Sequence, residues 1–189
     1  FTTALIQSNI RNFKHMWYWN KETGGAFAVA KYRPLSIVED ICVFTKSGER
    51  VNYYPIMEDA KPENVRPANK GSSVSEAIPV ASGVARSREG YDVKKRYPRN
   101  VLTYNGRARE LNSLNRVHPT QKPVALMEYL INTYTREGET VLDNCMGSGT
   151  TAIASMNTGR NFIGFELDEG YFNIANERIT KHLLERQGG

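Results

Sequence analysis

The chain has 189 residues, of which 40% are apolar and 24% are charged, and it carries a formal net charge of +5. This length accommodates one domain, or one domain with an insertion, and the apolar content suffices for a core. No apolar run approaches the roughly 18 residues of a membrane span, so we do not expect this chain to span a membrane. Cys42 and Cys145 have neither zinc-ligand nor disulfide spacing, which favours a reducing, cytoplasmic compartment.

The positive charge is concentrated in the N-terminal part of the chain. Residues 1–116 carry 19 Lys and Arg against 11 Asp and Glu, whereas residues 117–189 carry 6 against 9. The excess is densest over 86–116, with nine basic and three acidic residues. A local field of this kind favours a polyanion as partner, although an ordinary solvated surface can have the same composition.

The predicted elements begin with a helix over 1–10 and an aromatic strand over 15–19. Residues 21–35 are predicted to form a loop, and residues 40–45 a strand that is apolar on both faces, as in a buried strand. From 47 to 116, prolines, serines and charges interrupt every periodic pattern, which predicts a loop-rich insertion with a few short strands.

Regular periodicity returns near residue 118. Pro123 can occupy the first turn of a helix, where its missing N–H costs nothing. After it the pattern predicts a strand over 140–144, a helix to about 157 capped by Ser148 or a neighbour, a strand over 161–167, and a final helix capped by Asp168. Strand, helix, strand and helix at this spacing predict a βαβ unit on a parallel sheet.

The first strand of this unit leads into a turn that contains Asp143, Gly147 and Gly149. The turn lacks the lysine of a phosphate-binding loop, and Ala152 stands where a dinucleotide fingerprint has its third glycine. Glu166, at the end of the next strand, is placed to accept hydrogen bonds from ribose hydroxyls, whereas Asp143 would repel a pyrophosphate. These residues favour a nucleoside with a positive, amino-acid-like group, namely S-adenosylmethionine. A nicotinamide oxidoreductase is the alternative.

Three segments resemble motifs of the DNA amino-methyltransferases in the permuted, beta-class order. They are HPTQKPVALMEYLI (118–131, motif X), VLDNCMGSGTTAIA (141–154, motif I) and NFIGFELDEGYFNIANERI (161–179, motif II). The resemblance is specific over 117–181 and continues more loosely upstream. It implies an α/β fold, a Rossmann-like S-adenosylmethionine-dependent methyltransferase sheet with a target-recognition insertion. The implied divisions are 1–46 (central strands and helix), 47–116 (insertion) and 117–189 (cofactor-binding βαβ portion).

The resemblance also implies a set of cofactor-binding residues. They are His118, Thr120, Gln121, Lys122, Pro123, Asp143, Gly147, Ser148, Gly149, Thr150, Glu166 and Leu167. Asp143 would lie near the ammonium of the cofactor, Glu166 would hold the ribose hydroxyls and Leu167 would flank the adenine. The insertion would contact double-stranded DNA, and its candidate residues are Lys94, Lys95, Arg96 and Arg99. No metal site is implied.

The family's catalytic tetrapeptide, an Asp, Asn or Ser followed by Pro-Pro and an aromatic residue, does not occur in these 189 residues. In the permuted order it precedes the segment with which this sequence starts, so we expect it in a preceding segment or a complementing polypeptide. We therefore predict no catalytic residue here. Loss of the strand that bears this motif would expose two apolar strand edges, which predicts poor solubility or a homodimer.

The implied reaction is methyl transfer from S-adenosylmethionine to the N6 amino group of adenine in DNA. The alternatives are N4 of cytosine, or a non-catalytic remnant or complementing subunit that binds cofactor or DNA. Catalysis on a flipped base requires stacking in the pocket. Trp17, Trp19 and Tyr32 are candidates for that stacking, although aromatic residues in or beside a strand more often belong to the core.

Overall fold

The computed structural model describes residues 1–25, 27–46, 48–61, 94–105 and 120–187. The chain divides into two compact units, one formed by Phe1–Tyr54 with Arg99–Gly189 and the other by Pro55–Pro98. Both division points lie inside the predicted insertion. The elements, in chain order, are α1 (Thr2–Ser8), β1 (Phe13–Gly25), a 3₁₀ helix (Phe27–Val29), β2 (Ser36–Phe44), β3 (Glu58–Asp59), β4 (Lys95–Arg96), β5 (Val101–Thr103), α2 (Val124–Tyr134), β6 (Thr140–Asp143), α3 (Thr150–Asn157), β7 (Asn161–Gly164) and α4 (Glu169–Gln187).

A three-stranded sheet in the order β2-β1-β5 forms one part of the larger unit. β1 pairs with β2 in antiparallel register from Phe13↔Phe44 to Gly25↔Ser36, and with β5 in parallel register. β1 therefore continues through the first residues of the predicted loop. The expectation that β2 is buried on both faces is wrong, because no residue of β2 is fully buried. An edge strand has a partner on one side alone and keeps part of its surface in water.

The core of this part consists of strand residues packed against α2. Trp17 and Trp19 of β1 are each 3% exposed and cluster with Leu102 and Leu126. Each indole N–H has a partly buried partner, since Trp17 donates to the Tyr134 hydroxyl and Trp19 donates to the Tyr104 carbonyl. The two tryptophans are thus core residues, as is usual for aromatic residues within a strand.

The second part of the larger unit is the predicted βαβ arrangement, and this prediction is confirmed. β6 and β7 are parallel neighbours, paired from Thr140↔Asn161 to Asp143↔Gly164, with α3 between them in sequence. Among the described residues this ladder is separate from the three-stranded sheet. Asp168 caps α4 as predicted, accepting the backbone N–H of Tyr171 at 2.9 Å.

The cap of α3 is the neighbour of Ser148 rather than Ser148 itself. This cap residue is Gly149, in the left-handed conformation with φ of +78°, and no side chain caps the helix. The Ser148 hydroxyl instead contacts Gln121 and Arg178. The first six residues of α3 are all buried, so this helix is enclosed by the rest of the unit.

The smaller unit is described at two short segments. β3 and β4 pair in antiparallel register as Glu58↔Arg96 and Asp59↔Lys95, and the ammonium of Lys95 lies 2.5 Å from the Asp59 carboxylate. This pairing is a short strand pair of the kind predicted for the insertion. Of the helices that the structure describes, none combines the length and apolarity required to cross a bilayer.

Candidate functional site

A cavity of about 270 Å³ lies where the carboxyl end of β6 meets the segment that precedes α2. Ligand sites of α/β sheets are found at this end of the strands, and their volumes start near 300 Å³. The lining residues are Thr120, Gln121, Lys122, Met127, Asp143, Cys145, Met146, Gly147, Ser148, Thr150 and Thr151. The cavity therefore brings together the two separate segments that the sequence assigned to one cofactor site.

The turn after β6 depends on two glycines. Gly147 has φ of +54° and Gly149 has φ of +78°, values that other residues adopt at a cost. A Cβ on Gly149 would also lie 3.2 Å from the Cβ of Ala175, which is fully buried in α4. Gly147 lines the cavity, whereas Gly149 lets α4 pack closely beneath the turn.

Asp143 is held in place at the cavity wall by its own turn. One carboxylate oxygen accepts the backbone N–H of Cys145 at 3.1 Å, and the other accepts the Thr151 hydroxyl at 2.6 Å. A carboxylate offers about four acceptor positions, so these two bonds leave capacity for a donor in the cavity. The arrangement suits an ammonium or another cationic group.

Thr150 supplies a second polar feature of the cavity. It is 6% exposed, and its hydroxyl has no hydrogen-bond partner among the described residues. Leaving a buried hydroxyl unsatisfied costs about 1–3 kcal/mol. Thr150 lines the cavity, and its hydroxyl is a buried polar atom beside the cavity that the described residues leave unsatisfied.

Ser148 connects the two sides of the cavity. Its hydroxyl lies 3.3 Å from the Gln121 side-chain oxygen, to which it donates, and it accepts from Arg178 of α4 at 2.9 Å. Arg178 also donates to the Ser148 backbone carbonyl. Burial lowers the pKa of the Arg178 guanidinium, which nevertheless stays charged because arginine is an extremely strong base.

Glu166 and Leu167 do not line the cavity as the structure describes it. The Glu166 carboxylate accepts the backbone N–H of Gly147 at 2.8 Å, and those of Leu167 and Asp168 at 3.0 Å. Leu167 is fully exposed. Glu166 therefore organises the glycine turn, and its assignment to ribose hydroxyls stays a prediction.

Lys122 joins the cavity to the three-stranded sheet. Its ammonium lies 2.7 Å from Glu39 of β2 and 5.3 Å from the ring centre of Trp19. Glu39 also pairs with Lys21 at 3.1 Å. Burial acts to raise the pKa of Glu39, but the hydrogen bonds and charges of Lys122 and Lys21 together lower it.

The other predicted residues fall in different places. His118 lies outside the described residues. Pro123 is the cap residue of α2 and does not line the cavity. Of the candidate DNA contacts, Lys94, Lys95 and Arg96 belong to the smaller unit and Arg99 to the larger.

Five residues with a role in the site were missed from sequence. Three of them lie in the glycine turn or in the first turn of α3, namely Cys145, Met146 and Thr151. The available signal was their position next to the predicted residues in the sequence. Met127 stands one helical turn after Pro123. Arg178 stands on the apolar stripe of the final helix, where a charged residue indicates a specific partner.

A family model described as DNA methylase, covering the N6 and N4 methyltransferases, matches residues 3–177. The chain belongs to this DNA methylase family. Type II methyltransferase M2.DpnII of Streptococcus pneumoniae is 45% identical over 62 residues, which are 33% of this chain and 23% of that protein. The putative methylase YubD of Escherichia coli K12 is 43% identical over 75 residues, 40% of this chain and 33% of that protein. The matches thus span a third or less of these relatives' length.

Solved structures share the fold. The structure of the M1.HpyAVI-SAM complex aligns with 93% of this chain and 66% of its own, with a TM-score of 0.59 and 24% identity. The cytosine-N4-specific PvuII DNA methyltransferase aligns with 95% of this chain and 59% of its own, with a TM-score of 0.57 and 18% identity. The predicted fold class, a methyltransferase-type α/β fold, is confirmed.

Proposed function

We propose that this chain is the cofactor-binding and target-recognising portion of an S-adenosylmethionine-dependent DNA amino-methyltransferase. Membership in the DNA methylase family supports the reaction class. The observation that carries the proposal is the cavity itself, which combines the Asp143 carboxylate with a glycine turn. We propose N6 of adenine in double-stranded DNA as the acceptor, with N4 of cytosine as the alternative.

The residues of the cavity fit the amino-acid end of this cofactor. Asp143 has acceptor capacity left for an ammonium group, and the charge of the carboxylate favours a positive ligand. The hydrogen bond between Ser148 and Gln121 holds the opposite walls of the cavity together. When bound, the cofactor supplies an electrophilic methyl group on a sulfonium.

The role proposed for the smaller unit is contact with DNA. Its described β4 carries consecutive cations, Lys95 and Arg96, directly after Lys94. Cations of this kind contact phosphates and position a protein on the duplex, whereas base-edge contacts carry the sequence information. Lys94, Lys95 and Arg96 of this unit, together with Arg99 of the larger unit, are the candidates for phosphate or base contacts.

The cofactor assignment is tested by calorimetry with S-adenosylhomocysteine and, as the competing ligand, NAD. We expect binding of the former alone, and we expect Asp143→Ala to weaken it roughly tenfold to a hundredfold, since a hydrogen bond to a charged group contributes about 1.5–3 kcal/mol. Glu177→Ala, which removes an exposed acid from α4, is the control for the change in charge. No uptake of S-adenosylhomocysteine by folded protein would overturn the proposal.

The reaction is tested by transfer of a tritiated methyl group to unmethylated DNA, with and without an added polypeptide that carries the family's catalytic tetrapeptide. Digestion and mass spectrometry of the product distinguish N6-methyladenine from N4-methylcytosine. Transfer in neither mixture, with cofactor binding intact, would identify a non-catalytic binding protein instead.

A further inference from the structure

The loop between β1 and β2 exposes two large aromatic rings. Phe27 is 66% exposed and Tyr32 is 88% exposed, in contrast to the buried tryptophans of the preceding strand. Single exposed apolar residues are common on protein surfaces, but two rings within six residues form a cluster. Tyr32 therefore does not belong to the core, and its exposure calls for a different explanation.

The same loop is purely cationic. Lys31 and Arg33 flank Tyr32, and no Asp or Glu occurs between Glu22 and Glu39. Both cations are exposed, and within the part of the chain that the structure describes neither forms an ion pair or hydrogen bond through its side chain. Their charge is thus available to an anionic partner.

The loop has internal structure that holds these side chains. The backbone N–H of Ala30 donates to the Phe27 carbonyl, and those of Tyr32 and Arg33 donate to the Val29 carbonyl. At the base of the loop a Cβ on Gly24 would lie 2.8 Å from the Cβ of Leu35, so the two sides are in close contact there. The rings and cations consequently project from a compact turn.

The loop is joined through β2 to a residue that contacts the wall of the cavity. Its base is the Gly25↔Ser36 pair, three residues from Glu39, which holds the cavity residue Lys122. Three strand residues at about 3.3 Å each place the base of the loop roughly 10 Å from Glu39 along β2. The loop thus extends from the same strand that binds a cavity residue.

We propose that Phe27, Lys31, Tyr32 and Arg33, the aromatic-basic loop, form a DNA-binding surface separate from the predicted insertion. Lys31 and Arg33 bind phosphates beside the target, and the exposed rings stack on a base that has lost its partner. Aromatic rings next to cations suit unpaired nucleic acid, because every base has a face for stacking. This inference rests on the proposed function.

The test compares DNA affinity across two double variants by fluorescence anisotropy, with a short unmethylated duplex and the same duplex carrying one unpaired base. Lys31→Gln with Arg33→Gln should weaken binding to both about tenfold and reduce the salt slope by about 1.8, or 0.9 per phosphate contact. Phe27→Ala with Tyr32→Ala should weaken binding to the unpaired-base duplex about tenfold and leave the slope unchanged.

Lys181→Gln with Leu184→Ala, both exposed on α4, is the matched control, and all variants should bind S-adenosylhomocysteine as the unaltered protein does. If both loop variants match the control while the unaltered protein binds DNA, this inference is wrong and the proposed function stands. If the unaltered protein binds no DNA, both fail. Loop variants that change the sedimentation of the protein but not its DNA affinity would identify a second copy of the chain as the partner.

Discussion

The hydroxyl of Tyr134 links α2 to two side chains of β1. Trp17 donates its indole N–H to that oxygen at 2.5 Å, and the Nε2 of His15 lies 2.8 Å away. Because Trp17 can only donate, the phenolic hydrogen of Tyr134 is left to bond a neutral His15. Burial lowers the pKa of His15 and raises that of Tyr134, so both groups favour their uncharged forms in the folded state.

This bond predicts a loss of stability on acidification. The pKa of His15 in the folded protein lies below its ordinary value of 6.5, so the unfolded chain takes up the proton first. The contribution of uncharged His15 to stability is complete above the unfolded value of 6.5. It is lost as the pH falls from that value to the lower pKa of the folded state. We expect the free energy of unfolding, measured in urea at about pH 7.5 and about pH 5.5, to fall less in His15→Gln than in the unaltered protein. The glutamine keeps a hydrogen-bond acceptor but does not titrate.

The matched control for this prediction is His182→Gln. His182 lies on α4 and contacts Asn157, away from Tyr134, so its removal should leave the bond between His15 and Tyr134 in place. An equal loss of stability in the unaltered protein and in His15→Gln would contradict the prediction.

At the scale of elements, α4 packs against the glycine turn that follows β6. Ala175 and Arg178 are three residues apart and lie on one face of the helix. Ala175 packs against Gly149, and Arg178 binds both the carbonyl and the hydroxyl of Ser148. Because Ser148 in turn bonds Gln121, one helix positions both sides of the cavity.

We expect Arg178→Gln to lower the free energy of unfolding by about 1–3 kcal/mol, since it leaves buried acceptors unpaired. Affinity for S-adenosylhomocysteine should fall about tenfold, because the turn and Gln121 lose their common support. Arg178→Lys, which keeps a charged donor, should restore part of this affinity. Ser148→Ala combined with Arg178→Gln should cost less than the sum of the single changes.

Arg186→Gln is the control for Arg178. Arg186 also extends from α4 to a backbone carbonyl, that of Met156, but this carbonyl lies at the far end of α3. Its loss should affect stability without changing cofactor affinity. If Arg178→Gln behaves in the same way, α4 supports the fold but does not position the site.

At the scale of the whole molecule, one face of the β6–β7 ladder is apolar and exposed. Leu142 and Ile163 are paired neighbours that are 60% and 48% exposed, and Phe165 continues the row at 57%. The residues on the other face of the same strands are partly buried. A contiguous apolar surface of this kind is a site for association.

We therefore expect the 189-residue chain to self-associate as its concentration rises. Ile163→Lys should shift sedimentation-velocity profiles towards the monomer, because a charge on this face opposes its burial. Leu184→Lys, at an exposed position on α4 outside this ladder, should not. A single monomeric species with a cooperative melting transition at every concentration would contradict this expectation.

Much of the C-terminal half could be predicted from sequence. Apolar periodicity and glycine positions are local properties, so the strands, the helices and the turn around Gly147 follow from residues close together in the chain. The same holds for Asp168 as a helix cap. The assignment of the cavity to 120–122 and 143–150 came from a family resemblance that spans both segments.

Other features depend on contacts between residues that are distant in sequence. Trp17 and Tyr32 are both aromatic residues near β1, yet the packing of α2 buries the first and leaves the second exposed. The orientation of Glu166 towards the glycine turn and the bond from Arg178 to Ser148 likewise need the assembled unit. Sequence alone thus determined the βαβ unit and its acidic glycine turn, because local spacing encodes them. Only the tertiary structure decided which side chains face the cavity, because long-range packing selects among the orientations that each local segment permits.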